Sequence, residues 1–259
     1  MRRLRSSVAG LTLGLVLIAV APPAWAEPYL AGYLGGAFTE SKDLRTELEL
    51  NGAPVVNGRA KNLTFDDALV YGGKAGYFFG TDLFGGNTGI ELDVYHFEPD
   101  VSRQFVKFRG LLNGVTGDTR TEIQRADIQI TAVTLNALYR FRLAADREYP
   151  NGRVQPYVGI GGGAFIARLA TKTSPFDENK DISDTDVRAG FQALAGARWF
   201  VTRNLALFAE YKFIQTDTFS FSFKESGTIS GIPFPLTETA RDRADITSHL
   251  LYGGLGFHW

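Results

Sequence analysis

The fold is decided near the C-terminus by the stretch TSHLLYGGLGFHW, residues Thr247–Trp259. Its side chains alternate between two chemical types with a period of two, which is the period of a β-strand. The apolar face holds Leu251, Leu255, Phe257 and Trp259, and the other face holds Tyr252, Gly254, Gly256 and His258. A strand of this kind needs an apolar medium on one side, either a protein core or lipid.

Upstream segments carry the same signal, with aromatic, β-branched and Gly residues alternating between two faces. In Asn204–Gln215, for example, Leu207 and Tyr211 share one face and Glu210 and Lys212 share the other. The predicted strands are Tyr29–Phe38, Leu69–Phe79, Thr88–Phe97, Asp127–Phe141, Gln155–Ala167, Val187–Phe200, Asn204–Gln215 and Thr247–Trp259. The sequence therefore predicts an all-β fold.

The connections between these strands alternate in length. The long ones are Thr39–Ala68, Glu98–Ala126, Arg168–Asp186 and Thr216–Ile246, and the shorter ones are Gly80–Asn87, Arg142–Val154 and Val201–Arg203. Outer-membrane barrels have short periplasmic turns and longer extracellular loops. Residues 27–259 are therefore predicted to form an eight-stranded antiparallel up-and-down transmembrane β-barrel with long extracellular loops at about 39–68, 98–126, 168–186 and 216–246.

A soluble barrel or sandwich is the alternative architecture, because it also has strands with one apolar face. Three features favour the membrane barrel. Aromatic residues lie at the strand ends, as in an interfacial girdle; the faces opposite the apolar ones are rich in Gly and paired charges; and the connections alternate between long and short. The alternatives differ in where Leu207, Tyr211, Leu255 and Phe257 lie. These side chains face lipid in a membrane barrel and fill the core of a soluble one.

The first 26 residues have the features of a cleavable secretory signal peptide. Arg2, Arg3 and Arg5 give a cationic start, Leu11–Val20 is apolar, and Ala24-Trp25-Ala26 offers small residues at a cleavage site before Glu27. An uncleaved membrane anchor is the alternative, but ten apolar residues are fewer than the roughly 20 that span a bilayer as a helix. The sequence therefore predicts export to the periplasm and the cell outer membrane.

Composition narrows the chemistry. The chain has no Cys, which excludes disulfides and thiolate metal sites. Its formal net charge is -1, and no basic run occurs beyond the first five residues, so no nucleic-acid partner is expected. No residue pattern predicts a cofactor, a metal site or a catalytic site.

Four stretches resemble the small outer-membrane barrels of the OmpA-type transmembrane domain and the opacity-type surface antigens, which are similar to the porin family. They are YLAGYLGGAF (29–38), PYVGIGGG (156–163), ALFAEYKF (206–213) and LYGGLGFHW (251–259). The resemblance implies contact with outer-membrane lipid and lipopolysaccharide. It also implies that the barrel-assembly machinery reads Phe257 and Trp259 as an assembly signal.

Charged residues on the faces opposite the apolar ones are the main candidate site. They are Lys74, Glu91, Asp93, Arg140, Arg188, Arg198, Glu210 and Lys212. Eight strands enclose an interior that side chains can fill, and buried charges must pair. An ion-pair network that plugs the lumen is therefore predicted, with a narrow ion path as the alternative.

The remaining candidates are weaker. Ser248 and His249 are adjacent on a strand and point to opposite faces, so they cannot act together as nucleophile and base. The acidic segment from Asp177 to Asp186 lacks the EF-hand spacing and is expected to be a solvated loop. The aromatics Phe219, Phe221 and Phe223 alternate with Ser, which predicts that strands seven and eight extend as a hairpin beyond the membrane. Aromatic side chains on this hairpin would either form an exposed contact surface or pack on neighbouring loops.

The function predicted from these features is a non-enzymatic outer-membrane barrel that supports envelope integrity and makes surface contact or adhesion through its loops, with a host or envelope surface molecule as the ligand. Two alternatives remain open at this point. One is a small channel for ions or small hydrophobic solutes, and the other is a lipid-modifying barrel enzyme.

Overall fold

The structure is a computed structural model that describes residues 26–112, 114–143, 145, 147–171, 182–227 and 236–259. The signal peptide predicted for residues 1–26 lies outside these ranges except for Ala26. No helix in the described residues is long and apolar enough to cross a membrane.

Eight antiparallel strands close into a barrel in the order β1-β14-β11-β10-β9-β8-β5-β4. Their bounds are β1 Ala26–Thr39, β4 Ala68–Leu83, β5 Gly86–Phe97, β8 Asp127–Phe141, β9 Val154–Thr171, β10 Ile182–Phe200, β11 Leu205–Thr216 and β14 Thr247–His258. The first and last barrel strands pair directly, with Tyr29 opposite His258. The predicted eight-stranded antiparallel barrel is confirmed.

The apolar faces of the barrel strands point outward. Leu207 is 43% exposed and Phe257 is 52% exposed, whereas Lys212 is 0% exposed and Arg198 is 3% exposed. A soluble barrel would reverse this arrangement, because it buries its apolar face and exposes its charges. The outward apolar surface predicted for a membrane barrel is confirmed.

Three of the four long connections contain a second sheet, of which the sequence predicts only the hairpin between strands seven and eight. Six strands form it in the order β12-β13-β2-β3-β6-β7. Their bounds are β2 Lys42–Leu50, β3 Ala53–Leu63, β6 Gln104–Leu112, β7 Val115–Ile123, β12 Phe219–Gly227 and β13 Leu236–Ala244. The connections predicted at about 39–68, 98–126 and 216–246 therefore consist largely of strands, and the hairpin predicted from Phe219, Phe221 and Phe223 is formed by β12 and β13. We call this sheet the second sheet and the barrel end that carries it the sheet end.

The second sheet continues the barrel wall. Its strand order repeats that of the six barrel strands from which it extends, β11-β14-β1-β4-β5-β8. Backbone hydrogen bonds cross the junctions, including Glu40 N to Thr247 O at 2.9 Å and Thr216 N to Ile246 O at 3.0 Å. The pairing therefore passes from the barrel into the second sheet with only short interruptions.

An apolar inner face explains why these segments fold. Phe219, Phe221 and Phe223 are 1%, 7% and 9% exposed, so the structure selects packing over the exposed contact surface. Burying a Phe side chain contributes about 1.5–3 kcal/mol, so these three rings stabilise the sheet substantially. Leu63 and Phe65, from the connection between β1 and β4, are buried in the same cluster.

The edge of β12 lies against β10. Asp186 accepts a hydrogen bond from Ser220 N, and Asp184 accepts one from Ser222 N, both at 2.7 Å. An edge strand leaves backbone N–H groups without strand partners, and these carboxylates satisfy two of them. Asp184 and Asp186 therefore have a structural role, which the prediction of a solvated acidic loop missed. Asp177, from the same predicted loop, lies outside the described residues.

Candidate functional site

Two lysine side chains and three carboxylates meet in the middle of the barrel lumen. Lys74 Nζ lies 2.6 Å from Glu210 Oε2 and 3.5 Å from Glu91 Oε1. Lys212 forms an ion pair with Asp93 and lies 4.0 Å from Glu210 Oε1. All five side chains are at most 1% exposed, so the charges are compensated inside the protein.

These ion pairs cross the lumen. In the barrel order, β11 and β5 are separated by β10, β9 and β8, so the pair between Lys212 and Asp93 joins opposite walls. Lys74 on β4 likewise reaches Glu210 on β11 past two intervening strands. The network therefore occupies the centre of the barrel and links walls that do not share backbone hydrogen bonds.

Tyrosine hydroxyls donate to each of the three carboxylates. Tyr29 donates to Glu91 at 2.6 Å, and Tyr33 donates to Asp93 at 2.7 Å. Glu210 accepts from Tyr157 at 2.6 Å and also from Tyr252. These hydrogen bonds offset part of the cost of burying the carboxylates, because hydrogen bonds to charged groups are the stronger ones.

The predicted network includes none of these tyrosine donors. Of the four, only Tyr252 is assigned by the sequence analysis to the face opposite the apolar one. Strand alternation could have identified others. Tyr95, for example, lies two residues after Asp93 and four after Glu91 on β5, and its hydroxyl donates to Gln192 at 2.9 Å.

Arg198 lies between aromatic rings in the lumen. Its guanidinium carbon lies 4.1 Å from the centre of the Tyr29 ring and 4.6 Å from that of Tyr157. Its Nη2 atom lies 3.7 Å from Glu91 Oε2, while Nη1 has no hydrogen-bond partner among the described residues. Stacking on ring faces is a favourable environment for a guanidinium group.

A second group of charges closes the end of the barrel that lies away from the second sheet. Arg140 Nη2 lies 2.7 Å from Glu27 Oε2, and His258 Nδ1 lies 2.7 Å from Glu27 Oε1. Asn151 donates to the same carboxylate at 2.9 Å. Seven of the eight predicted lumen residues therefore lie in two paired groups, a central one and this end group.

Arg188 is the exception, and its predicted place in the network is wrong. Its side chain is 39% exposed and pairs with Asp186 two residues earlier on β10, at 2.8 Å. Strand alternation places Arg188 on the same face of β10 as Arg198, as predicted. Arg188, however, lies closer to the sheet end of β10 than the buried charges do. Depth along the strand therefore separates it from the others.

The other histidines make separate contacts. His96 Nδ1 lies 2.9 Å from Thr131 Oγ1, and His249 Nδ1 lies 2.7 Å from the Tyr211 hydroxyl. Ser248 Oγ lies 2.8 Å from Thr39 Oγ1, so Ser248 and His249 have different partners, as expected for opposite faces. Among the residues that the structure describes, no three His, Asp or Glu side chains are grouped as a metal site requires.

The residues of the predicted assembly signal lie on the outer surface. Phe257 and Trp259 are both 52% exposed, and their rings stack at 6.0 Å. They face the same medium as Leu255 and Leu251, so the terminal strand presents one apolar stripe.

The outer face of the second sheet is cationic. Strand register places Arg243 opposite Arg45, Arg45 opposite Arg59, and Arg59 opposite Arg109. A second row runs from Lys61 to Lys107 to Arg120. Two carboxylates temper the first row: Glu47 lies 3.1 Å from Arg243, and Asp118 lies 2.7 Å from Arg109, which lowers the pKa of Asp118.

The sequence of this chain is similar to those of known proteins. The family model for the outer membrane protein beta-barrel domain matches residues 11–258. Outer membrane protein PagN of Salmonella typhimurium strain LT2 is 27% identical over 183 residues, which are 66% of this chain and 74% of PagN.

Two solved structures are also similar. OprG of Pseudomonas aeruginosa is 17% identical with a TM-score of 0.47, and the match covers 90% of this chain and 96% of OprG. Neisserial surface protein A is 13% identical with a TM-score of 0.40, covering 89% of this chain and 96% of that protein.

Proposed function

The chain belongs to the outer membrane protein beta-barrel domain family, and from that premise we propose that it is a non-enzymatic surface protein whose barrel anchors the second sheet in the lipopolysaccharide layer. Residues 1–26 are removed on export, and the sheet end faces the cell exterior. The role is envelope integrity and surface contact, with the second sheet as the contact surface.

The cationic rows carry this proposal. Like charges directly opposite each other on neighbouring strands are destabilising, and Glu47 and Asp118 compensate only part of the first row, so anions from outside the chain would stabilise the outer face. Neighbouring strands lie about 4.8 Å apart, so the four arginines of the first row span about 15 Å. Because the second sheet continues the barrel wall, its outer face points sideways, just above the lipid, where lipopolysaccharide carries phosphate groups. Arginine binds phosphate through two parallel hydrogen bonds.

The channel alternative has less support. Ion pairs between opposite walls fill the centre of the lumen, with Lys212 and Asp93 at 0% exposure. An eight-stranded barrel is just wide enough for side chains to fill. The central charges are therefore better suited to holding the barrel closed than to conducting ions.

Binding of lipopolysaccharide to the refolded protein in zwitterionic nanodiscs tests the proposal. Arg45→Gln combined with Arg59→Gln should weaken the binding of short-chain lipopolysaccharide about tenfold or more, since each lost charge-assisted hydrogen bond contributes about 1.5–3 kcal/mol. The loss should shrink as salt is raised.

Arg103→Gln combined with Arg125→Gln is the matched control. It removes the same charge from exposed sites already paired with Glu122 and with Asp100 and Asp127. Equal binding by the two double variants would refute the proposed contact. Surface proteolysis of intact cells would refute the orientation if it failed to cut the Asn51-Gly52 turn.

A further inference from the structure

A cavity of about 240 Å³ lies between the second sheet and the sheet end of the barrel. Most of its lining is apolar and includes Phe219, Phe221, Phe223, Leu63 and Leu169. These residues come from the second sheet and from β9. The cavity is therefore built on hydrogen-bonded strands and is separate from the charged lumen below it.

Three carboxyl side chains face this apolar space. Glu225 and Glu238 are direct partners across β12 and β13, and Asp242 lies four residues after Glu238, on the same face of β13. Burial and the neighbouring Glu225 raise the pKa of Glu238, and burial raises that of Asp242. Two carboxyl groups directly opposite each other repel when both are ionised.

Among the described residues that line the cavity, none is Lys, Arg or His. The neighbouring Arg241 and Arg243 alternate with Asp242 and lie on the outer face of β13. The hydroxyl of Thr46 donates to Asp242 at 2.8 Å. The cavity thus combines an apolar body with an excess of acidic groups.

We propose that this cavity binds a small hydrophobic monocation, an aromatic or short aliphatic amine. The apolar part would lie among the phenylalanine rings, and the ammonium group would lie between Glu238 and Asp242. This site uses the inner face of the second sheet and does not depend on the lipopolysaccharide contact proposed for the outer face.

The size and chemistry of the cavity limit the ligand. An apolar cavity of about 150 Å³ takes up benzene, so 240 Å³ suits one ring with a short side chain. An ammonium group would supply hydrogen-bond donors to the carboxylates and can also interact with the face of an aromatic ring. A neutral ligand of the same shape would leave the carboxyl groups without this compensation.

Ligand pairs that differ only in charge test the proposal. Purified protein in zwitterionic nanodiscs would be titrated with 2-phenylethylamine and 2-phenylethanol, with empty nanodiscs subtracted to remove partitioning into lipid. We expect the amine to bind about tenfold to a hundredfold more tightly, as a charge-assisted hydrogen bond implies. Glu238→Gln combined with Asp242→Asn should abolish this preference.

Two further variants separate the cavity from the rest of the sheet. Glu49→Gln removes one carboxylate from the outer face of the sheet, where Glu49 is opposite Thr239, and should keep the preference. Ala240→Leu fills part of the cavity and should weaken both ligands. A heat-dependent gel shift identifies folded protein. If a variant does not fold, the preference of the wild-type protein for the amine over the alcohol tests the proposal.

Three results would each overturn the proposal. They are amine binding no greater than to empty nanodiscs, equal affinity of the wild-type protein for the amine and the alcohol, and an unchanged preference in the folded Glu238→Gln/Asp242→Asn variant.

Discussion

Replacing Glu210 by Gln tests whether the lumen charges hold the barrel together. Three cations, Lys74, Lys212 and Arg198, occupy the central lumen with the three carboxylates of Glu91, Asp93 and Glu210, so the central group is neutral. Glu210→Gln keeps the shape of the side chain but leaves one uncompensated positive charge in a buried site. Lys74 then keeps one ion pair, to Glu91, which at 3.5 Å is the longer of its two.

The expected loss is large. Removing one partner of a buried ion pair costs about 3–5 kcal/mol, because the remaining charge stays desolvated. A protein with about 5–15 kcal/mol of stability would lose a third of it or more. Adding Lys74→Met restores neutrality in the central group, so the double variant should recover much of that loss.

Equilibrium urea unfolding in lipid vesicles measures these effects, with the heat-dependent gel shift reporting the folded fraction. Glu49→Gln, on the outer face of the second sheet, is the control and should change the free energy of unfolding by less than about 0.5 kcal/mol. A loss below about 1 kcal/mol for Glu210→Gln, or a double variant less stable than the single one, would refute the role of a neutral plug. Increased bilayer conductance with unchanged stability would instead favour the ion path.

Three further predictions address other parts of the molecule by equilibrium unfolding. Phe221→Ala should cost about 3–5 kcal/mol because the ring is buried, whereas Phe105→Ala, at a side chain 62% exposed, should cost about 1 kcal/mol or less; equal losses would contradict the described packing. Leu251→Arg on the outward barrel face should cost about 2–4 kcal/mol in lipid, whereas Ser222→Arg on the outward face of β12 should change stability by about 0.5 kcal/mol or less. Burial raises the pKa of Asp242 above its ordinary 3.8, so the folded state binds this proton more tightly than the unfolded state. The free energy of unfolding should therefore fall as the pH rises from 3.8 through the raised pKa. Asp242→Asn should make this fall with pH smaller, and an unchanged pH dependence would contradict the buried position.

The barrel could be predicted from the sequence because lipid imposes a strict chemical alternation on every strand that crosses it. Leu207 and Leu255, predicted on one face of neighbouring strands, lie directly opposite each other in β11 and β14. Each strand therefore carries its own evidence for which face is buried, and the order of strands follows from the short turns.

The partners within the lumen could not be predicted in the same way. Alternation shows that Lys212 and Asp93 point inward, but it does not show which residues lie at the same depth. That depth depends on strand tilt and stagger around the closed barrel. The error at Arg188 has this cause, since its orientation was predicted while its height along β10 was not.

Only the hairpin of β12 and β13 was predicted from the sequence, although the sequence contains signals for other parts of the second sheet. Asn51 and Gly52 have φ values of 50° and 80°, which fit the turn of a two-residue hairpin, and Asn-Gly is a strong signal for such a turn. Phe219, Phe221 and Phe223 also alternate strictly. Length and polarity favoured a loop, because a strand with water on one side exposes polar residues just as a loop does.

The polarity of the wall reverses where the barrel strands pass into the second sheet. Along β11, Leu207 faces outward while Glu210 and Lys212 face the lumen; along β12, Ser222 faces outward while Phe221 faces inward. A wall surrounded by lipid must be apolar outside, and a wall surrounded by water must be polar outside and apolar inside. The reversal falls between Lys212 and Phe219, since Ile214 on the inward face of β11 is already apolar and buried. One continuous ribbon therefore marks the membrane surface through its own chemistry. A single water-soluble domain would have no reason to exchange its polar and apolar faces at that point. The same reversal separates the ion-paired plug in the lumen of the barrel from the apolar cavity above it.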